Sequence, residues 1–381
     1  MSSTHAANDA AIFEVSSSMA FFSWLICEHP RVWRTLGNLE TSILVDTLDK
    51  IEIHKPVYIS GLARSGSTIL LELFNEIPGT VSHRYKDFPP VFTPYAWNTL
   101  LRYMASDTAV PAERVHKDGI MVTLDSPEAM EEPLWMSFFP TAHNPSQCNV
   151  IEAGDVDNGF ANFYTAHIKK LLAVHQGDRY LAKANYQITR LEYLLDLFPD
   201  ARFVLPVREP AAHIASLMKQ HDLFMRGQSA NSRARNHLRR VGHYEFGLDR
   251  VPINTGDGGA TADIIGLWGN SEEILGWARY WNQVYAYLAE RLENNAQLNS
   301  ASQLIVFEDL CATPTDKLNE LFEHCGFNVD ESFVARAAAR IKAPTYYQAA
   351  FSNTELECIS YETANTMKRI KVLAEKAMTQ A

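Results

Sequence analysis

The sequence predicts an α/β fold: one three-layer domain in which a central, mostly parallel sheet lies between helices. Three observations carry this. Early in the chain a glycine-framed turn joins an apolar run, Val57-Tyr58-Ile59-Ser60, to a helix-spaced one, Ile69 to Phe74. A second apolar run, Arg202 to Val207, ends in Arg208 and is followed at once by a helix start at Pro210. Around these, short β-rich runs alternate with helical periodicities, the pattern of strands that pair in parallel through crossover helices. A hydrophobic content of 46% in 381 residues supports a sizeable core.

The elements follow in order. Residues 1–54 read as a helical N-terminal segment, and its most apolar stretch, Met19 to Cys27, is shorter than the roughly 20 residues a membrane span needs. No basic stretch precedes it, as one would in a signal peptide. A helix packed on the core and a cytoplasmic protein with no membrane span are therefore expected. The strand Val57–Ser60 then enters the turn Gly61-Leu62-Ala63-Arg64-Ser65-Gly66-Ser67-Thr68. This turn has the frame of a Walker A phosphate loop, but Ser67 stands where that pattern has lysine, and Arg64 is its only cation. Strand, glycine turn and helix together aim backbone N–H groups and a helix N-terminus at an anion. Arg64, Ser65, Gly66, Ser67 and Thr68 are thus expected to hold a phosphate. The side chain that grips a β/γ-phosphate chain is missing, which argues against ATP.

Residues 84–178 read as an insertion of short helices and loops, with prolines at 89, 90, 94, 111, 127, 133, 140 and 145. A short strand, Tyr180–Lys183, and a helix, Ile188–Phe198, lead to the Arg202–Val207 strand. Pro210 opens a helix running to His221, proline being favoured in a first turn. Arg208 offers a planar, permanently charged fork for phosphate oxygens, and Ser216, eight residues on, a hydroxyl. A nucleotide-hydrolysing P-loop enzyme would be expected to place a magnesium-binding acid on a neighbouring strand; a cation at this strand end suits direct phosphate binding. A second insertion covers 222–270, in which Val251–Gly269 reads as a surface loop or lid. Ser271–Asn295 is the clearest long helix, with Ser271 as cap and Glu272 and Glu273 as dipole partners. Leu304–Phe307 is another strand, and helices follow from Thr313.

The string GLARSGST followed by FVLPVREPAAHIAS resembles the sulfotransferases that use 3′-phosphoadenosine 5′-phosphosulfate (PAPS), over roughly residues 55–220. The RSGST portion is especially similar to the tyrosylprotein and carbohydrate branches. The resemblance implies a P-loop-like fold and a loop that holds the 5′-phosphosulfate. It also implies that Arg208 and Ser216 hold the 3′-phosphate. The reaction implied is metal-independent, in-line transfer of a sulfuryl group to a hydroxyl or amine of a small-molecule or lipid acceptor, with 3′,5′-ADP as product. Lys183 matches a catalytic lysine that cytosolic members carry within a Lys-Thr-His string. Here the string is Lys183-Ala184-Asn185, so the histidine base is absent. Asp87 is the first choice to replace it, because Ser82-His83-Arg84-Tyr85-Lys86-Asp87 resembles the segment where other branches carry a catalytic Glu. His83 is second, its ordinary pKa being near 6.5; His116 and the pair Glu131-Glu132 are third. The C-terminal string with which cytosolic members close over the 3′-phosphate has no match, and by position only Ile341 to Tyr346 stands in for it.

Two other readings compete. Ile305-Val306-Phe307-Glu308-Asp309 mimics the acid-bearing strand of a P-loop kinase or NTPase, with Glu308 and Asp309 as magnesium ligands. A nucleotide-binding scaffold without catalysis is the other, prompted by Asn185. A net charge of −11 argues against nucleic acid as partner. Five scattered cysteines read as reduced thiols, without metal spacing. Phe88, Phe92, Tyr95, Trp97, Trp135, Phe138 and Phe139 suggest an apolar or aromatic acceptor. His213, His221, Trp268, Trp277 and Trp281 read as helix-face packing, and the basic run Arg233–Arg240 as a solvated helix face.

Overall fold

In the computed structural model, which describes residues 13–104, 111–114, 116, 120–152, 154, 159–342 and 351–379, five parallel strands form the central sheet. They are β1 (Val57–Ile59), β2 (Thr80–Val81), β5 (Arg179–Lys183), β6 (Arg202–Val207) and β7 (Ser302–Val306), in the spatial order β2-β5-β1-β6-β7. A separate antiparallel ribbon pairs β3 (Ala112–Glu113) with β4 (Met121–Val122). Register is fixed by Ile59 opposite both Lys183 and Val204, and by Val207 opposite Val306.

Both faces of the sheet are covered, which is why its strands read as continuous apolar runs rather than alternating ones. Val57, Ile59, Leu181, Val204 and Ile305 point into one core, and Tyr58, Tyr180, Phe203, Leu205 and Val306 into the other. The first core is closed by α4 (Ser67–Asn75), α15 (Pro314–His324) and α16 (Glu331–Arg340). The second is closed by α7 (Phe160–His175), α9 (Pro210–Ala230), α12 (Glu273–Asn294) and α17 (Asn353–Thr379). The N-terminal segment contains α1 (Ser17–Cys27), α2 (Pro30–Ile43) and α3 (Val45–Leu48). The remaining helices are α5 (Pro94–Tyr103), α6 (Glu132–Phe138), α8 (Leu191–Leu197), α10 (Ser232–Arg240), α11 (Gly258–Gly269), α13 (Ala296–Ala301) and α14 (Phe307–Ala312).

Several expectations are corrected. Val251–Gly269 is not a loop throughout: α11 occupies its second half. The Asp257 side chain caps this helix by accepting from Ala260 N at 2.9 Å, and Thr261, Ile264 and Trp268 recur at helical spacing on its buried side. Of the glycines that signalled a loop, Gly258 and Gly259 sit in its first turn and Gly266 and Gly269 in its last. Ser271 does not cap α12; it lies in the left-handed region with φ 64°, and no side chain caps that helix. The insertion 84–178 contains a 16-residue helix, α7, as well as short pieces. Ile188–Phe198 is a 3₁₀ turn over Asn185–Thr189 followed by the shorter α8, and α9 runs nine residues past His221 to Ala230.

Candidate active site

The carboxyl ends of β1, β5, β6 and β7 all open on one side of the sheet, the side where open parallel sheets bind ligands. Each delivers a chemically distinct group there: the glycine turn after β1, Lys183 at the end of β5, Arg208 after β6, and Phe307 after β7. They share a cleft of about 1320 Å³.

The turn is held by buried groups behind it. Tyr285 Oη accepts from Leu62 N at 3.3 Å, and Ser65 N donates to Leu62 O at 3.2 Å. Trp281 Nε1–H donates to His213 Nδ1 at 3.2 Å, which leaves Nε2 as the protonated nitrogen facing Ala63 O at 2.8 Å. Burial drives the His213 pKa down to about 3, so the ring stays neutral and keeps this tautomer. His213 and Trp281 are therefore scaffold, as the sequence suggested. Gly66 has φ +102°, and a Cβ there would lie 2.4 Å from the Phe307 ring, so only glycine lets the turn pass under that side chain. Gly66 also precedes α4, whose N-terminus no side chain caps. The Ser65 Oγ is fully buried and has no hydrogen-bond partner among the described residues. An uncapped helix start and an orphaned hydroxyl in one glycine turn fit a phosphate-sized anion.

The structure brings together the expected nucleotide residues. Arg64, itself at φ 71°, reaches Ser216 Oγ with its Nε at 3.3 Å. Thr68 Oγ1 accepts from Arg114 Nη1 at 3.3 Å. Arg208 is nearly buried, with its Nε 3.5 Å from Glu308 Oε1 and its guanidinium 5.9 Å from the Phe307 ring centre. Glu308 also accepts from Glu209 N at 3.0 Å, so it orients Arg208 and the start of α9. Glu308 and Asp309 lie in the first turn of α14 and not on a strand. Arg340, Ile341 and Lys342 reach the cleft beside this group, Arg340 pairing with Glu72 at 2.7 Å. Residues 343–346, named with them from the sequence, lie outside the described residues.

The expected base is not in the cleft. Asp87 is 1% exposed and turned into the protein, where it accepts from Arg84 N at 2.8 Å and Asn98 Nδ2 at 2.9 Å. Burial pushes its pKa up, but hydrogen bonds from His83, Arg84 N and Asn98, with the charge of His83, hold it below the ordinary range. His83 is buried too, its Nε2 2.9 Å from His167 Nε2. Glu131 accepts from Tyr164 and Gln187 and also contacts the Tyr180 hydroxyl. Glu132 is clamped by both terminal nitrogens of Arg190, at 2.9 and 2.7 Å, and by His143 at 2.7 Å. Glu132 lines the cleft, but it and Glu131 are fully engaged in structure. His116 does line the cleft, but burial, together with Arg114 and His243 nearby, keeps its pKa well below normal.

Glu128 is a further carboxylate that the sequence analysis does not name. It lines the cleft, accepts from Tyr85 Oη at 2.5 Å and Ala129 N at 2.7 Å, and lies 3.9 Å from Arg114 Nη1. Burial alone would raise its pKa; Arg114, Lys183 and the Tyr85 hydroxyl outweigh that and lower it. Lys183 is in turn lowered by burial, with Arg114 and Arg64 adding to that, while Glu128 and Glu245 oppose it. Asn185 donates to Glu245 at 2.7 Å and so fixes the second carboxylate. An apolar section of the cleft wall is built from Met19, Phe88, Met130, Phe224, Leu238 and Phe246, alongside polar lining such as Glu14, Glu113, His237 and His243. Of the aromatic residues singled out in the sequence only Phe88 lines it; Phe92, Trp135 and Phe138 are core.

The model of the Sulfotransferase family matches residues 56–251, just over half of the chain, from the strand before the glycine turn to beyond the end of α10. The chain belongs to the sulfotransferase family. Among solved structures, it is similar to sulfotransferase STF9 from Mycobacterium avium, at 13% identity and TM-score 0.48 over 86% of this chain and 80% of that one. It is also similar to sulfotransferase STF1 from Mycobacterium tuberculosis H37Rv, at 12% identity and TM-score 0.46 over 87% and 83%. A sulfotransferase from Alicyclobacillus acidocaldarius gives 14% identity and TM-score 0.42 over 85% and 97%. All three likenesses are remote. A comparison with curated proteins finds no match.

Proposed function

We propose that this sulfotransferase takes its sulfuryl group from PAPS and passes it to a hydroxyl, or an amine, of an apolar small-molecule or lipid acceptor. The observation that carries this is the opposition across one cleft of a cationic phosphate site and a carboxylate. Arg64, Lys183, Arg208 and the α4 N-terminus lie at the strand ends, Glu128 lies beside them, and Met19, Phe88, Met130, Phe224 and Phe246 give the cleft an apolar section of wall.

The donor supplies an activated sulfur–oxygen bond to its 5′-phosphate. Arg208 and Ser216 hold the 3′-phosphate, and Ser65, Gly66, Ser67 and Thr68 cradle the 5′ end. Glu128, a carboxylate throughout neutral pH, accepts the proton of the attacking acceptor oxygen. As that oxygen bonds to sulfur, the bond to the phosphate breaks and negative charge passes to the leaving 3′,5′-ADP. Arg64 and Lys183 stabilise that charge, and their partial burial strengthens the effect relative to water. Arg114 positions Glu128 and Thr68 together.

The test is transfer from radiolabelled PAPS to a panel of apolar alcohols, phenols and amines. Labelled organic sulfate and 3′,5′-ADP formed in equal amounts support the proposal. Release of 3′,5′-ADP with no labelled product on any acceptor, or no turnover at all, contradicts it.

A further inference from the structure

The N-terminal helices carry an apolar face that the fold leaves outside. α2 is docked by Trp33, which donates to Leu25 O, by Gly37, packed against Phe163, and by Glu40, paired with Lys170. Beside that inner face Val32, Leu36, Leu39 and Ile43 recur at i, i+4, i+7 and i+11, and are exposed from 39% at Leu36 to 73% at Ile43. α1 adds Phe21, Phe22 and Trp24, all exposed. Seven large apolar side chains on two consecutive helices exceed the scatter normal for a monomer surface.

The charges around this face run against the rest of the chain. Although the protein carries −11 overall, α10 contains four arginines and no acid, and it packs against α1 through Arg233, which donates to Ser17 Oγ at 3.0 Å. Arg31, Arg233 and Arg239 are exposed, and none makes an ion pair among the described residues. A crevice of about 320 Å³ opens where α1 ends and α2 begins, lined by Glu28, Pro30, Arg239 and Arg240. Arg240 in that crevice is paired with Glu28 at 3.3 Å, which leaves Arg31, Arg233 and Arg239 as the cations beside the apolar side chains, the pattern of a helix lying in a membrane interface. A second copy fits less well, since a two-fold contact would bring this arginine-rich surface against itself. The face is also continuous with the cleft: Met19 of α1 lines the cleft, two residues before Phe21.

We infer that α1, α2 and α10 form a docking surface for an anionic phospholipid bilayer, with α1 standing between the bilayer and the cleft. This docking does not depend on the transfer chemistry.

The test is co-sedimentation of the full chain with vesicles of phosphatidylcholine alone and of phosphatidylcholine containing about one quarter phosphatidylglycerol. Preferential binding to the anionic vesicles is expected, by at least about tenfold and falling as salt is raised. Arg31→Ala and Arg239→Ala should each weaken it about fivefold. The double variant Leu36→Glu/Ile43→Glu should abolish it without moving the thermal midpoint, because both side chains are exposed. The inference is overturned if the chain binds neither vesicle, or if the double variant binds as wild type. It is equally overturned if the wild type is a dimer that the double variant splits, since the face is then a self-interface.

Discussion

Replacing Glu128 with glutamine tests the assignment of the base most sharply, because the change keeps the shape and removes only the basicity. A positioned general base contributes a factor of about 10² to 10⁴, or about 3–5 kcal/mol of barrier. Glu128→Gln should lower kcat by that factor with KM for PAPS little changed, since the groups assigned to the nucleotide that Glu128 acts on are Arg114's partner Thr68 and, through its charge, Lys183, which stabilises the leaving phosphate rather than holding the ground-state donor. A second signature follows from the charges. Lys183 is pushed down by burial and by two arginines, and Glu128 is one of two carboxylates opposing this. Without Glu128, Lys183 loses its proton at lower pH, so the alkaline limb of kcat should move to lower pH. Asp87→Asn is the control. It leaves the buried hydrogen bonds of Arg84 N and Asn98 imperfectly met, so it should cost about 1–3 kcal/mol of stability while the folded enzyme keeps its kcat. The measurement is steady-state transfer from labelled PAPS to an acceptor found by screening, with denaturant unfolding of both variants. If Glu128→Gln stays within about threefold of wild type while Asp87→Asn loses activity, the assignment of the base is wrong.

Two further predictions concern the framework. Gly66→Ala forces an L side chain to φ +102° and against Phe307, a strain of about 1–3 kcal/mol; calorimetry should show 3′,5′-ADP affinity down by at least about tenfold, and unchanged affinity would refute the assigned turn. Glu132, held at about 2 against an ordinary 4.5 by Arg190 and His143 despite its burial, stabilises the fold above about pH 4.5 and loses that contribution as pH falls toward 2. The shift corresponds to about 3 kcal/mol at most, so the stability gap between wild type and Glu132→Gln, read from denaturant midpoints, should shrink between about pH 5 and about pH 3; a constant gap would contradict the pairing.

The parts of the site that were legible in the sequence are those built from local chain. The glycine turn, the strand ending in Arg208 and Lys183 on β5 each depend on a few neighbouring residues, and their common location follows from parallel strands ending on one side. Glu128 was not legible because long-range contacts set its position. An isolated bridge pairs Arg84 with Pro127, Glu128 N donates to His83 O, and Tyr85 closes onto the carboxylate. The segment proposed for the base from the sequence, residues 82–87, thus lies beside Glu128. Its 3₁₀ turn points Tyr85 toward Glu128 and folds Asp87 back onto the Arg84 amide. The aromatic residues of the insertion, which suggested an apolar acceptor, mostly do not line the cleft for a related reason: aromatic residues signal burial, and most of these are spent on the core beside α7. Likewise the glycines of 251–269 marked a break that the Asp257 cap and the buried side of α11 turn into a helix start.

The most direct test of the central claim is the thermal stability of the wild type and of Arg208→Ala with 3′,5′-ADP, and separately with ADP and magnesium. A cleft that holds the 3′-phosphate on Arg208 predicts stabilisation of the wild type by 3′,5′-ADP alone, about 2.7 kcal/mol when ligand is at a hundred times its Kd, and no comparable shift in the variant. Stabilisation only by ADP with magnesium would contradict the account and return Glu308 and Asp309 to consideration as metal ligands.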